Sequence, residues 1–234
     1  MNKSLILLSV LFCSNALLGQ FNVKIGYGLA YTSASDHNFI IQSFNDNNEA
    51  ITGFELVTAM PDLKALYGIV LGARYKLGNN NAIELTWESI SRERSTLGIN
   101  PDESILERDL FYSFNQFLFG YQSQFGNWGI GTAIGLNRIK IKKNIDGTDK
   151  KSNVVPNKLM GTKANQYVAR VNLSYNIQSN RSVTLSIQPF YQIPLTDINI
   201  FPLANELGVA ADPDNTTESF PTFGLTLLFY NGRQ

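Results

Sequence analysis

Eight stretches of this chain alternate bulky apolar residues with small or polar ones. That period of two, held over long stretches, restricts the fold more than any other feature. In Asn22 to Thr32, Val23, Ile25, Tyr27, Leu29 and Tyr31 share one face, and Lys24, Gly26, Gly28, Ala30 and Thr32 the other. The same pattern runs through 66–77, 82–92, 111–125, 128–141, 166–177, 182–193 and 222–230. A tilted membrane strand takes about 9–11 residues, whereas strands of soluble proteins usually take about 5–6. In the fifth stretch the alternation changes phase at Arg138, which predicts that the strand leaves the membrane there or bulges.

One face of a closed sheet points in and the other out. An eight-stranded barrel is just wide enough for its own side chains or one small ligand. The many bulky apolar residues of these stretches do not fit inside, whereas the Gly, Ala, Ser, Thr and long polar residues opposite them do. The apolar face therefore points to lipid, and closure leaves no unpaired strand edge in hydrocarbon. Tyr31, Tyr75, Trp87, Trp128, Tyr175 and Tyr191 lie near strand ends, where interfacial aromatics sit. Strand propensity alone would also favour them there.

Connections alternate in length. Gly78-Asn79-Asn80-Asn81, Gly126-Asn127 and Ser179-Asn180-Arg181 are tight turns, and residues 33–65, 93–110, 142–165 and 194–221 are long. The expected fold is all-β: an eight-stranded antiparallel up-and-down transmembrane β-barrel with four long extracellular loops and short periplasmic turns. Residues 1–20 read as a cleaved signal peptide, with Lys3 ahead of the short apolar run Leu5 to Phe12, and residues 21–234 as the barrel domain of an outer membrane. Cys13, the single cysteine, falls in the signal, so the mature chain has no disulfide and no thiolate metal site. Without Lys3 the formal charge is about −1, and nothing points to nucleic acid.

The chain resembles the small outer-membrane β-barrels of Bacteroidota, the OmpA-like or PorT-like group. The resemblance rests on the signal ending Gly19-Gln20, on Gly26-Tyr27-Gly28-Leu29, on Gln188-Pro189-Phe190-Tyr191, and on the closing strand Thr222 to Phe229. Gly224, Leu227 and Phe229 look like a barrel-assembly signal, with the terminal phenylalanine displaced by four residues. The resemblance implies insertion by the barrel-assembly machinery and allows an accessory role in secretion or envelope assembly. It implies little about activity.

Lys24, Arg74, Lys76, Glu84, Glu88, Arg92, Arg170, Gln116 and Gln188 fall on the inferred lumen face. They form either a polar conduit or, because buried charges must be paired, a salt-bridged plug; the narrow barrel favours the plug. The basic loop Lys142, Lys143, Lys150, Lys151, Lys158 and Lys163 either packs against acidic neighbours or meets lipopolysaccharide phosphates. His37 stands beside Ser33, Ser35 and Asp36; it is expected as a solvated loop residue, with a lipid-modifying Ser–His–acid site as the rival. Asp212, Asp214 and Glu218 offer oxygens for Ca²⁺ without the full loop pattern. The function expected is a non-enzymatic barrel without cofactor or metal. It presents extracellular loops for structural, adhesive or partner-binding roles, with outer-membrane lipid, lipopolysaccharide and an envelope protein as associates. A lipid-modifying enzyme and a narrow channel are the alternatives.

Overall fold

The computed structural model describes residues 21–144, 157–158, 164–178 and 183–231. Residues 1–20, expected as a signal peptide, and Ser179-Asn180-Arg181, expected as a tight turn, lie outside them. In chain order the elements are β1 (Phe21–Thr32), α1 (Ser35–Glu49), β2 (Glu55–Thr58), β3 (Ala65–Lys76), β4 (Asn81–Ile99), β5 (Ile105–Phe125) and β6 (Trp128–Asn144). There follow β7 (Asn157–Lys158), β8 (Asn165–Gln178), β9 (Val183–Pro194), β10 (Ile198–Asn199), α2 (Phe201–Glu206), β11 (Thr217–Glu218) and β12 (Thr222–Asn231). The eight long strands pair antiparallel with their chain neighbours, and β12 closes on β1.

Register fixes the barrel's shape. One circuit runs Phe21, Tyr75, Ile83, Tyr121, Thr132, Val171, Tyr191, Phe223 and returns to β1 at Tyr31. The return lies ten residues above the start, so the strands tilt by roughly 40° and the interior is only side-chain wide. Pro189, lacking an N–H, sits on the outer face of β9, where the ladder to β8 lapses between Asn172↔Phe190 and Tyr175↔Ile187.

Val23, Ile25, Tyr27 and Leu29, with Phe117, Phe119, Ile130 and Ile134 across the barrel, are about half exposed or more. Lys24, Arg74, Glu84, Glu88, Gln116 and Arg170 are buried inside. A closed sheet with apolar side chains outside and paired charges inside is soluble in a bilayer and not in water. This is the outer-membrane design, and the chain is a transmembrane barrel of that membrane.

Two features depart from the expectation. The segment 93–110 is not a long loop: β4 and β5 run on together, and only Asn100–Ser104 turns. And β6 neither bulges nor changes phase at Arg138, because its pairing with β5 continues in one register to Asp109↔Asn144. Ile139 and Ile141 still point inward and Arg138 still points outward. What switches is chemistry. Beyond the hydrocarbon the outer face meets water and turns cationic, while the inner face meets an apolar cap.

Candidate functional site

The lumen divides into a charged half and an apolar half. Toward the turn end, Lys24 Nζ donates to Glu84 Oε2 at 2.6 Å, and Arg74 Nε lies 3.7 Å from Glu84 Oε1. Arg74 also donates to Gln124 at 3.0 Å, and its guanidinium lies 5.7 Å from the centre of the Tyr230 ring. The Tyr230 hydroxyl donates to Glu84 at 3.4 Å and accepts from Gln188 at 3.2 Å. Farther along, Arg170 grips Glu88 with two bonds of 2.5 and 2.7 Å, donates to Gln116 at 2.8 Å and to Gln192 at 2.9 Å, and lies 4.1 Å over Phe190. Strand alternation places these groups together: all sit on inward positions of β1, β3, β4, β5, β8, β9 and β12. Between the clusters a space of about 30 Å³ remains, flanked by Gln122 and Asn172, with room for a water molecule or two.

Two residues expected in this network stand apart. Lys76 is half-buried at the turn end of β3. Arg92 sits above the charged half, half-buried, its guanidinium 5.2 Å over the outward Tyr67 ring. Strand parity placed Arg92 inside, but a long side chain on wall that has outrun the lipid is free to turn outward.

The apolar half is a core built from loops. Helix α1 buries His37, Ile40, Ile41 and Phe44, the i, i+3, i+4, i+7 stripe of a helix. These pack with Met60 and Leu63 of the following segment, with Leu203 of α2, with Phe220, and with the inward faces of Ile90, Leu110, Phe114, Ile139 and Ile141. The first and last long loops therefore fold down over and into the barrel's extracellular end.

His37 is fully buried, contrary to the expectation of a solvated loop residue. Asn38 Oδ1 accepts the Leu63 N–H at 2.8 Å, so the His37 Nδ1–H donates to the same oxygen at 3.1 Å. Nε2 then accepts the Tyr112 hydroxyl at 2.8 Å. Burial pushes the His37 pKa down to about 4, so the ring is neutral at ordinary pH. Glu218 accepts the His37 backbone N–H at 2.9 Å, and its carboxyl is raised, first by burial. Ser33, Ser35 and Asp36 are exposed, and the two His37 ring partners are Tyr112 and Asn38. No Ser–His–acid array is assembled among the described residues.

The basic loop is not brought together as one unit. Lys142 points outward from β6, whereas Lys143 turns to the cap and pairs with Glu206 of α2. Lys158 lies in β7, opposite Lys142 in register. Lys150, Lys151 and Lys163 lie outside the described residues. Asp212 accepts from Asp214 N–H at 3.0 Å and Asn215 at 2.6 Å, so its carboxylate closes its own turn. No cluster of metal-ligating residues occurs among the described residues. On β12, Leu227 and Phe229 face outward, and Gly224 faces the Phe190 ring.

Buried Tyr112 and Glu218 complete the surroundings of His37; the sequence does not single out Tyr112, and it marks Glu218 only as an oxygen donor for Ca²⁺. The signal that could have found the site is the 37/40/41/44 spacing, which predicts a helix with His37 on its buried face.

No family model matches the chain, and no curated protein matches it. Among solved structures, it is similar to Ail, the attachment invasion locus protein of Yersinia pestis, at 11% identity over 90% of this chain and 97% of that one, with a TM-score of 0.48. It is similar to the neisserial surface protein NspA at 9% identity over 92% and 97%, with a TM-score of 0.42. It is also similar to the outer-membrane protein OprG of Pseudomonas aeruginosa at 12% identity over 92% and 96%, with a TM-score of 0.40.

Proposed function

We propose that this protein is a non-enzymatic membrane anchor, closed to diffusion, that holds a prefolded extracellular cap toward a partner in the envelope or outside the cell. The observation that carries the reading is the cap itself. Loops that only linked strands would have no reason to bury Ile41, Phe44, Leu63, Leu203 and Phe220 in one core continuous with the barrel wall. Ordering loops in advance lowers the entropy cost of binding. Exposed Phe39, Ile51, Val57 and Ile105 on and beside the cap supply apolar contact area. Below the cap, two ion-pair clusters fill the lumen, which supports an anchor over a channel. The burial of His37, the basicity it loses by that burial and the Tyr112 hydroxyl on its Nε2 weigh against its use as a base on lipid.

We place the protein, by the residues quoted above, with the OmpA-like and PorT-like barrels of Bacteroidota. An accessory role in secretion or envelope assembly follows from that placement, with the closing strand read by the barrel-assembly machinery. The test pairs two measurements. Purified protein in planar bilayers gives no conductance steps, and a deletion strain keeps its lipid profile unchanged. Reproducible steps refute the closed anchor, and an altered lipid A acylation pattern refutes the non-enzymatic reading.

A further inference from the structure

The outer wall carries a feature that the cap and the lumen do not use. On β6 the outward face reads Ile130, Thr132, Ile134, Leu136, then Arg138, Lys140 and Lys142. Apolar contact gives way to three consecutive outward cations within one strand. At about 3.3 Å per residue, Arg138 and Lys142 lie roughly 13 Å apart along the strand. Register sets Ser113 beside Lys140, Asn115 beside Arg138 and Phe111 beside Lys142. One strand farther, Ser91 stands beside Ser113 and Ser89 beside Asn115. Ser89 donates to Asn115 at 3.0 Å, and Asn115 donates to Ser113 at 2.9 Å, so the row is a bonded ladder of small polar groups. At its upper edge an open groove of about 430 Å³ runs between Tyr67, Arg92, Phe111 and Lys142. Glu93 is the one acidic residue lining that groove.

This cationic row lies on one side of the barrel. Around the rest of the extracellular end, outward positions include Tyr31, Tyr167, Tyr191, Ile193, Leu195 and Phe223, which are aromatic or aliphatic. Directly below the cations, Phe117, Phe119 and Ile134 are more than half exposed. An amphiphile bound here meets acyl-chain contacts below and, farther from the membrane, hydroxyl and amide groups side by side with positive charge.

We infer that the outer face of β4–β6 binds a multiply phosphorylated, acylated glycolipid of the outer leaflet, the lipid A part of lipopolysaccharide. Arg138, Lys140 and Lys142 hold its phosphates, and the Ser89–Asn115–Ser113 ladder meets its sugar hydroxyls. The site is narrower than the basic loop as a whole, since Lys143 is taken up by Glu206. It stands apart from the cap and from any partner that the cap meets.

The test uses the full barrel purified in non-ionic detergent and titrated with three probes: lipid A, dephosphorylated lipid A and phosphatidylglycerol. Wild type prefers lipid A. The triple variant Arg138→Ser, Lys140→Ser, Lys142→Ser loses about a hundredfold in affinity, roughly fivefold per cation. Lys140→Ser alone loses about fivefold and serves if the triple variant does not show the heat-modifiable gel mobility of a folded barrel. Dephosphorylated lipid A binds wild type as weakly as lipid A binds the triple variant. Affinity that stays within twofold in the variants overturns the assignment. Equal binding of phosphatidylglycerol, or of the dephosphorylated probe, does so too.

Discussion

Replacing Arg170 by Met removes the guanidinium that neutralises Glu88 and keeps most of its stem. Glu88 is 3% exposed and holds two of its bonds, at 2.5 and 2.7 Å, to that one group. Stranding a buried carboxylate costs about 3–5 kcal/mol, and loss of the contact with Phe190 adds on the order of 1 kcal/mol. Replacing both partners, Arg170→Met with Glu88→Leu, removes the charge as well as its counter-ion. Such double replacements are often neutral to within a few kcal/mol, so the double variant recovers most of the loss. The coupling in the cycle is then about 3 kcal/mol. The assay is urea unfolding of the refolded barrel in detergent, followed through the emission of Trp87 and Trp128. With a slope of about 1–3 kcal/mol per molar urea, Arg170→Met moves the midpoint by about 1 M or more. A shift under about 0.3 M refutes the reasoning, because it means that Glu88 is solvated and the lumen is wet. So does a double variant no better than the single one.

Three further outcomes are expected. Because the folded-state pKa of His37 lies near 4, below the usual 6.5, the unfolded cap takes up its proton first on acidification. Stability from this group is present above about pH 6.5 and is lost progressively toward pH 4, by about 3 kcal/mol in all. Glu218, raised, acts in the opposite sense, and Asn38, Asp62 and Arg94 also bear on the ring. Limited proteolysis of the cap between pH 7 and 4 measures the net effect, and His37→Phe flattens the profile. Phe44→Ala removes a fully buried ring and costs the cap about 3–5 kcal/mol. Protease nicks then appear in 33–65 while the barrel's heat-modifiable migration persists. A Cβ at Gly224 would lie 2.4 Å from the Leu29 carbonyl and 2.6 Å from the Phe190 ring. Gly224→Ala therefore destabilises the barrel refolded in detergent by about 1–3 kcal/mol. If Gly224 served recognition alone, stability without the assembly machinery would not change.

The strands were legible because lipid on one side and a narrow lumen on the other impose opposite chemistry on alternate residues. Segment 22–32 is observed as Phe21–Thr32 and segment 128–141 as Trp128–Asn144. The rule fails where its cause ends. Above the hydrocarbon, Ile139 and Ile141 point inward and Arg138 and Lys140 outward, so the same pleat looks like a change of phase. Helix α1 was hidden because its Asn- and Asp-rich composition reads as loop, and its apolar stripe has a period that the strand pattern does not share. The ion pairs of Glu84 and Glu88 were only partly legible. Parity put both inside, but which cation each would meet depends on reach across the lumen. Glu84 meets Lys24 and Arg74, while Glu88 meets Arg170, 82 residues away in sequence.

The two ends of the chain meet twice. Strand β12 zips to β1, and just above that seam the Ser33 N–H donates to the Pro221 carbonyl at 3.0 Å while Glu218 holds the start of α1. The first loop therefore finds its lid contacts in the last one. During assembly α1 has no complete apolar berth until nearly the whole polypeptide has been delivered. Sealing the wall and consolidating the lid are then a single late event. A chain truncated before β11 would forfeit both, so protease resistance of the first loop would report that the cylinder has shut.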